Sequence, residues 1–196
     1  MSEEDRQRWE ARYSTQVAEA ERRAREAPSE FLVAHADAIH GRVLDVAAGA
    51  GRNSLFLARR GNRVEALDIA YSSLHALHHI AAAEGLPVLV VQVDLDTYPL
   101  PLARYDAALN IRYLQRSLFA PLKRAVKPGG LIVFETFLID QQAVGHPRNP
   151  AFLLQHGELR AAFADCDILA YEEGLLPTRT QPAYLARMLA RTRPLD

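Results

Sequence analysis

Residues 41–51 read GRVLDVAAGAG. A short apolar run carries Asp45 near its end and breaks into a loop of small residues, where bare backbone can come close to a ligand. Residues 52–60, RNSLFLARR, read as a helix with Gly61 as its left-handed stop. Arg59 and Arg60 fall in its last turn, where positive charge suits the helix dipole. A second apolar run then ends on Asp68, and a third, PVLVVQVD, ends on Asp94. Strands alternating with helices in this way form a parallel sheet, and crossover helices force the strands' C-terminal ends onto one rim. Three successive strands each deliver a carboxylate to that rim.

The ligand must suit three aspartates. A dinucleotide fingerprint needs GxGxxG, but Gly49 and Gly51 are followed by Ser54 where the third glycine belongs. Asp68, nineteen positions after Gly49, suits hydrogen bonding to a ribose diol, which nicotinamide and methyl-donor cofactors share. Asp45 discriminates between them: a pyrophosphate beside it meets a like charge, and a sulfonium-bearing amino acid meets an opposite one. Asp94 suits an exocyclic adenine amine. The set favours S-adenosylmethionine.

At these residues the chain resembles the class I S-adenosylmethionine-dependent methyltransferases, whose first motif is an acidic residue followed by alternating glycines. Here it stands as Asp45, Val46, Ala47, Ala48, Gly49, Ala50, Gly51, with Ala47 where the family usually has its first glycine. Beyond this core the chain is similar to the small tellurite-resistance methyltransferase group. The pieces that carry the likeness are WEARYS (9–14), GAGRNSLFLARRG (49–61), KPGGLIVFETF (127–137) and HPRNPAFLLQHGEL (146–159). The resemblance implies an α/β fold with a doubly wound, seven-stranded, mostly parallel sheet whose last strand is antiparallel. It also implies an adenine contact at Asp94 and Leu95. The expected cofactor-binding set is Tyr13, Asp45, Ala47, Gly49, Gly51, Asn53, Asp68, Ile69, Asp94, Leu95 and Asn110.

Composition agrees with one compact enzyme. The 196 residues are 49% hydrophobic, enough for one substantial core and hardly for two. We therefore expect a single methyltransferase domain over 1–196, with 1–40 as an N-terminal helical cap. The net charge of −1 supplies no broad basic face, which disfavours nucleic acid as substrate. Cys166 is the only cysteine, so the chain can form no internal disulfide and no four-cysteine metal site. The start, MSEEDRQRWE, is charged instead of basic then apolar, and no apolar run approaches a membrane span. The expectation is a cytoplasmic protein with a small-molecule acceptor, no membrane partner and no metal; oligomeric state is not legible.

The pattern along the chain predicts helices over 3–27, stopped by Pro28, and over 31–40. Strands are expected at 43–46, 63–67, 88–93, 106–110, 131–136, 167–171 and 183–189. Helices are expected at 72–84, 118–126 and 158–163. Pro99, Pro101 and Thr97 make residues 96–103 a loop, and residues 127–130 read as a turn into the fifth strand.

Trp9 and Tyr13 share a helical face, either anchoring the first helix or letting it close over the cofactor with Tyr13 or Arg12 on the methionine carboxylate. His75, His78 and His79 have helical spacing but no carboxylate-rich partners, and read as solvated surface residues. Asp68 could also cap the helix beginning at Tyr71, and Asp94 could bond its own backbone. After the fourth strand come Asn110, Ile111, Arg112, Tyr113, without the Asn/Asp-Pro-Pro-Tyr-like motif that amino methyltransferases carry there. Arg112, Tyr113, His146 and Arg148 are the expected catalytic and acceptor-facing residues, suited to an anionic or soft acceptor such as a thiol or chalcogen. The arginines could instead make structural ion pairs with Glu135 or Glu158. Tyr113, His146 and Glu135 are the proton-acceptor candidates should the acceptor need one. Two other classes share parts of the pattern: a non-catalytic S-adenosylmethionine-binding partner protein and a nicotinamide-dependent oxidoreductase.

Overall fold

The computed structural model describes residue 7 and residues 17–193. Two compact units divide the chain at Leu100 and Pro101. In the first, helices α1 (Val17–Ala24) and α2 (Glu30–His35) lead into strand β1 (Arg42–Val46), helix α3 (Arg52–Arg59), strand β2 (Arg63–Asp68), helix α4 (Tyr71–Ala83) and strand β3 (Val88–Gln92). In the second, strand β4 (Tyr105–Ile111), helix α5 (Phe119–Ala125) and strand β5 (Val126–Phe137) precede the short helices α6 (Gln141–Val144) and α7 (Glu158–Ala162), and strands β6 (Asp167–Leu176) and β7 (Ala183–Arg191) close it. The strands form one seven-stranded sheet in the order β3-β2-β1-β4-β5-β7-β6. The pairs β1/β2, β2/β3 and β4/β5 are parallel, and β7 runs antiparallel to both β5 and β6. This is the expected sheet, with its last strand reversed.

In the first unit, Ala50 of the small-residue loop packs into a core with Leu55, Ala66, Leu77, Ile80 and Ala81, so the loop is continuous with the hydrophobic centre. Register places Asp45 opposite Ala66 and Asp68 opposite Gln92. With a side-chain period of two, Asp45 and Asp68 therefore point to the same face. In the second unit, Phe119, Phe134 and Phe163 meet edge-on with centroids 5.7 to 5.8 Å apart. Such quadrupole-matched pairs add about 0.5–1.5 kcal/mol each beyond area burial.

Strand β6 runs on to Leu176, past the expected 171, and three other departures have a local cause. Helix α1 ends at Ala24, because Arg25 and Glu26 turn back onto Arg22 and Arg23 in a tightened last turn well before Pro28. Helix α2 starts at Glu30, where the Ser29 hydroxyl accepts from Leu32 N–H at 3.4 Å, and gives way after His35 to a single 3-10 turn, Ala36–Ala38. The expected turn at 127–130 is an excursion inside β5: pairing with β4 passes from Tyr105/Val126 straight to Ala107/Leu131. Its backbone is satisfied by Thr192, which accepts from Gly129 N–H and donates to the Gly130 carbonyl, both at 2.9 Å. A Cβ on Gly130 would stand 2.7 Å from the Asp106 carbonyl oxygen, so glycine is required there.

Candidate active site

The loop after β1 is held in shape from both sides. Ala47, Gly49 and Gly51 take φ of 52°, 57° and 79°, all left-handed. For Ala47 this costs about 1–2 kcal/mol, the penalty of an L side chain in the left-handed region. Ala48 N–H donates to the Leu67 carbonyl at 3.0 Å, tying the loop to β2. Gly49 N–H donates to Asp68 Oδ2 at 2.7 Å, and Ala70 N–H donates to Asp68 Oδ1 at 2.9 Å. Asp68 thus clamps the glycine loop and closes a tight turn onto Ala70, which is itself the N-cap of α4 without a side-chain cap bond. Each carboxylate oxygen has a second lone pair, so a ribose hydroxyl remains compatible with both bonds. A Cβ on Gly49 would meet nothing within 4 Å, leaving its outer side open to a ligand's approach, whereas one on Gly51 would lie 2.3 Å from Leu77 Cδ1.

Asp45 lies beneath this loop, 1% exposed, and accepts a 2.6 Å hydrogen bond from the Ser54 hydroxyl. Burial pushes its carboxyl up to about 7, against the pull of the Ser54 bond, and the charge of Asp68 adds to the rise. The residue standing in place of the third dinucleotide glycine therefore has a partner. A cationic ligand group would act on Asp45 through space.

Other expected cofactor residues have structural partners. Asn53 Oδ1 accepts from Ser29 N–H at 3.0 Å and so joins α3 to the start of α2. The Ile69 carbonyl accepts from Gln92 Nε2 at 3.0 Å. Asp94 Oδ1 accepts from Asp96 N–H at 2.9 Å, and its carbonyl from Tyr98 N–H at 2.8 Å, the self-bonded loop form weighed above. Leu95 is buried. Tyr13, with Trp9 and Arg12, lies outside the described residues.

In the second unit, Asn110 is buried and donates through Nδ2 to the Tyr113 carbonyl at 2.7 Å, pinning the turn that follows β4. Arg112 sits in that turn at φ 62°. Its Nε donates to Glu135 Oε1 at 2.8 Å, its main-chain N–H to the Glu135 carbonyl at 2.6 Å, and its guanidinium lies 4.5 Å from the Phe137 ring centroid. Arg187 takes the other oxygen, Glu135 Oε2, at 2.9 Å, and donates to the Pro177 carbonyl at 3.1 Å. Glu135, 2% exposed, is held by two guanidiniums as their counter-ion. The Tyr113 hydroxyl bonds Gln115 Oε1. Glu158 pairs with Arg116 at 2.6 and 2.9 Å, and Arg116 also binds the Ala151 and Leu153 carbonyls. Of the two arginines in question, Arg112 makes the structural pair; Arg148 and His146 are exposed, and the His146 carbonyl accepts from Gln141 Nε2 at 3.2 Å. The roles of Arg187 and of Asn53 on Ser29 left no mark in the sequence, since each joins residues far apart along the chain.

A family model described as a methyltransferase domain matches residues 43–130, which span the clamped loop and the strands on either side of it. Over these residues the chain carries a methyltransferase domain, in keeping with the likeness to class I S-adenosylmethionine-dependent methyltransferases. It is 27% identical over 143 residues to Hemagglutinin 1 of Eikenella corrodens, a match covering 68% of this chain and 46% of that protein. It is 29% identical over 116 residues to the ubiquinone biosynthesis O-methyltransferase of Idiomarina loihiensis, covering 54% and 46%. The chain thus spans about half the length of the curated relatives it matches. Among solved structures, TehB from Haemophilus influenzae superposes with a TM-score of 0.73 at 22% identity, covering 84% of this chain and 62% of TehB, a likeness of fold. Among the described residues no helix is long and apolar enough to cross a membrane.

Proposed function

We propose that this methyltransferase moves a methyl group from S-adenosylmethionine to a small acceptor that is anionic or soft, such as a thiol or chalcogen. The observation that carries the donor half is the left-handed loop clamped by Asp68 over the buried Asp45. Its open side at Gly49 admits a ligand, and its acidic floor suits a cation and repels a pyrophosphate. Asp68 would hold the ribose, Asp94 and Leu95 the adenine, and the loop backbone the amino-acid moiety. S-adenosylmethionine supplies an already activated methyl on a sulfonium.

The chain's own residues then have to align, desolvate and, for some acceptors, take a proton. Alignment alone is worth roughly 7 kcal/mol or more in favourable intramolecular analogues. Arg148 and His146 supply exposed positive charge and a hydrogen-bonding ring for an anionic acceptor. Arg112, paired with Glu135 and stacked on Phe137, offers a flat wall suited to a polarisable group. A thiol or heavier chalcogen ionises without a dedicated base; an oxygen acceptor would leave Tyr113 or His146 to take its proton. Several relatives are ubiquinone biosynthesis O-methyltransferases, so the acceptor screen must span both classes. That screen uses labelled donor against tellurite, selenite, thiols, small phenols and carboxylates. Transfer confined to thiols and chalcogen anions supports the reading, and transfer to neutral phenols alone overturns its acceptor half.

A further inference from the structure

The segment between β5 and β6 holds a cluster of ionisable groups that the proposed chemistry does not use. His156 stands between two carboxylates. Its Nδ1 lies 3.0 Å from Glu173 Oε1 on β6, and its Nε2 lies 2.6 Å from Oδ2 of Asp140, the residue just before α6. The second contact is a close ion pair without hydrogen-bond alignment, and Asp140 Oδ2 is shielded from solvent with no hydrogen-bond partner among the described residues. Glu173 is fixed further by Gly157 N–H at 3.1 and 3.0 Å and by the Tyr171 hydroxyl. Asp140 and His156 are the two ends of the loop that carries His146 and Arg148.

An imidazole serves two carboxylates only as an imidazolium, with both ring nitrogens carrying protons. In the neutral ring one nitrogen turns a lone pair toward a carboxylate oxygen. Where that oxygen is the shielded one of Asp140, it loses the cation that faces it, and the contact turns from attractive to repulsive.

We propose that protonated His156 is the staple closing residues 140–156 into a defined loop, a positioning residue for His146 and Arg148, and that the loop loosens when His156 loses its proton. The groups facing the ring directly are the two anions. One side chain further out stand the Tyr171 hydroxyl on Glu173, Arg160 over the Tyr171 ring at 5.7 Å, and Glu158, which accepts from Gln155 N–H and is paired with Arg116. Glu173 first, then Asp140, hold the His156 pKa above its ordinary value. The staple is therefore intact below the ordinary histidine range and is lost as pH rises through the raised folded value. Anchors that do not depend on this proton persist: Ile139 N–H on the Leu154 carbonyl, Leu154 N–H on the Phe137 carbonyl, and Arg116 on the carbonyls of Ala151 and Leu153. The loop loosens without unfolding the unit.

The consequence for the acceptor rests on the proposed function; the staple does not. The test is an NMR titration of His156 in the full chain, run alongside amide hydrogen exchange over residues 140–157 without donor or acceptor. Exchange protection, corrected for the intrinsic pH dependence, should fall several-fold as His156 titrates. In His156→Gln the pH dependence should vanish, and in Asp140→Asn the His156 titration should move down. Unchanged protection through the His156 titration, or a dependence that survives in His156→Gln, overturns the staple. This outcome stands whether or not any acceptor is methylated. Where transfer is seen, the acceptor KM should rise over the same pH range at constant donor affinity, and a KM independent of that titration overturns the positioning role.

Discussion

Ser54 Oγ donates to Asp45 Oδ2 at 2.6 Å beneath the glycine loop, so the residue that breaks a dinucleotide fingerprint is the one that supports the buried acid. The bond favours the ionised carboxylate and partly offsets its burial. Ser54→Ala should destabilise the protein by about 1–3 kcal/mol at pH 8, where Asp45 is charged, and by less at pH 5. Urea unfolding at the two pH values measures the difference.

Asp45 also sets a pH dependence. Its folded value of about 7 lies above the unfolded value of 3.8, so between these the native state binds more protons than the unfolded chain. Stability from this group is thus greatest at low pH and falls as pH rises through that window, by up to roughly 4 kcal/mol. Asp45→Asn should remove this slope. A stability profile in which the variant and the parent chain run parallel from pH 4 to pH 8 contradicts the assignment.

Ala47 and Gly51 share a left-handed backbone but not a neighbourhood. Ala47→Gly relieves strain at some entropic cost and should change stability by no more than about +1 kcal/mol. Gly51→Ala drives a methyl into Leu77 and should cost about 1–3 kcal/mol or more. Thermal unfolding of the two variants gives the opposed signs.

Arg148 carries the anionic-acceptor idea. Arg148→Ala should raise the acceptor KM about tenfold, the loss of one charge-assisted contact, and leave donor affinity alone. Arg112→Ala should instead destabilise the fold, since it strips a buried glutamate of a partner. Steady-state kinetics and denaturation separate the two arginines.

Much of this was legible in the sequence because it is local or periodic. Apolar runs ending on Asp45, Asp68 and Asp94 located three strands and their common edge, and Gly61 marked the end of the helix between the first two. The 127–130 excursion was not legible, because its backbone is satisfied by Thr192, more than sixty residues away. Arg187 reaches Glu135 across paired strands for the same reason. The depth of Asp45 was not legible either: pattern gives it a rung on the sheet, and only packing shows it buried with Ser54 as its donor.

The central claim is that the Asp68-clamped loop binds S-adenosylmethionine. Calorimetry on the chain and on Asp68→Ala, with S-adenosylmethionine, S-adenosylhomocysteine and NAD, tests it most directly. The account predicts binding of both sulfur nucleosides, none of NAD at matched concentration, and a loss of about tenfold or more in Asp68→Ala. Tight NAD binding, or donor affinity indifferent to Asp68, would contradict it.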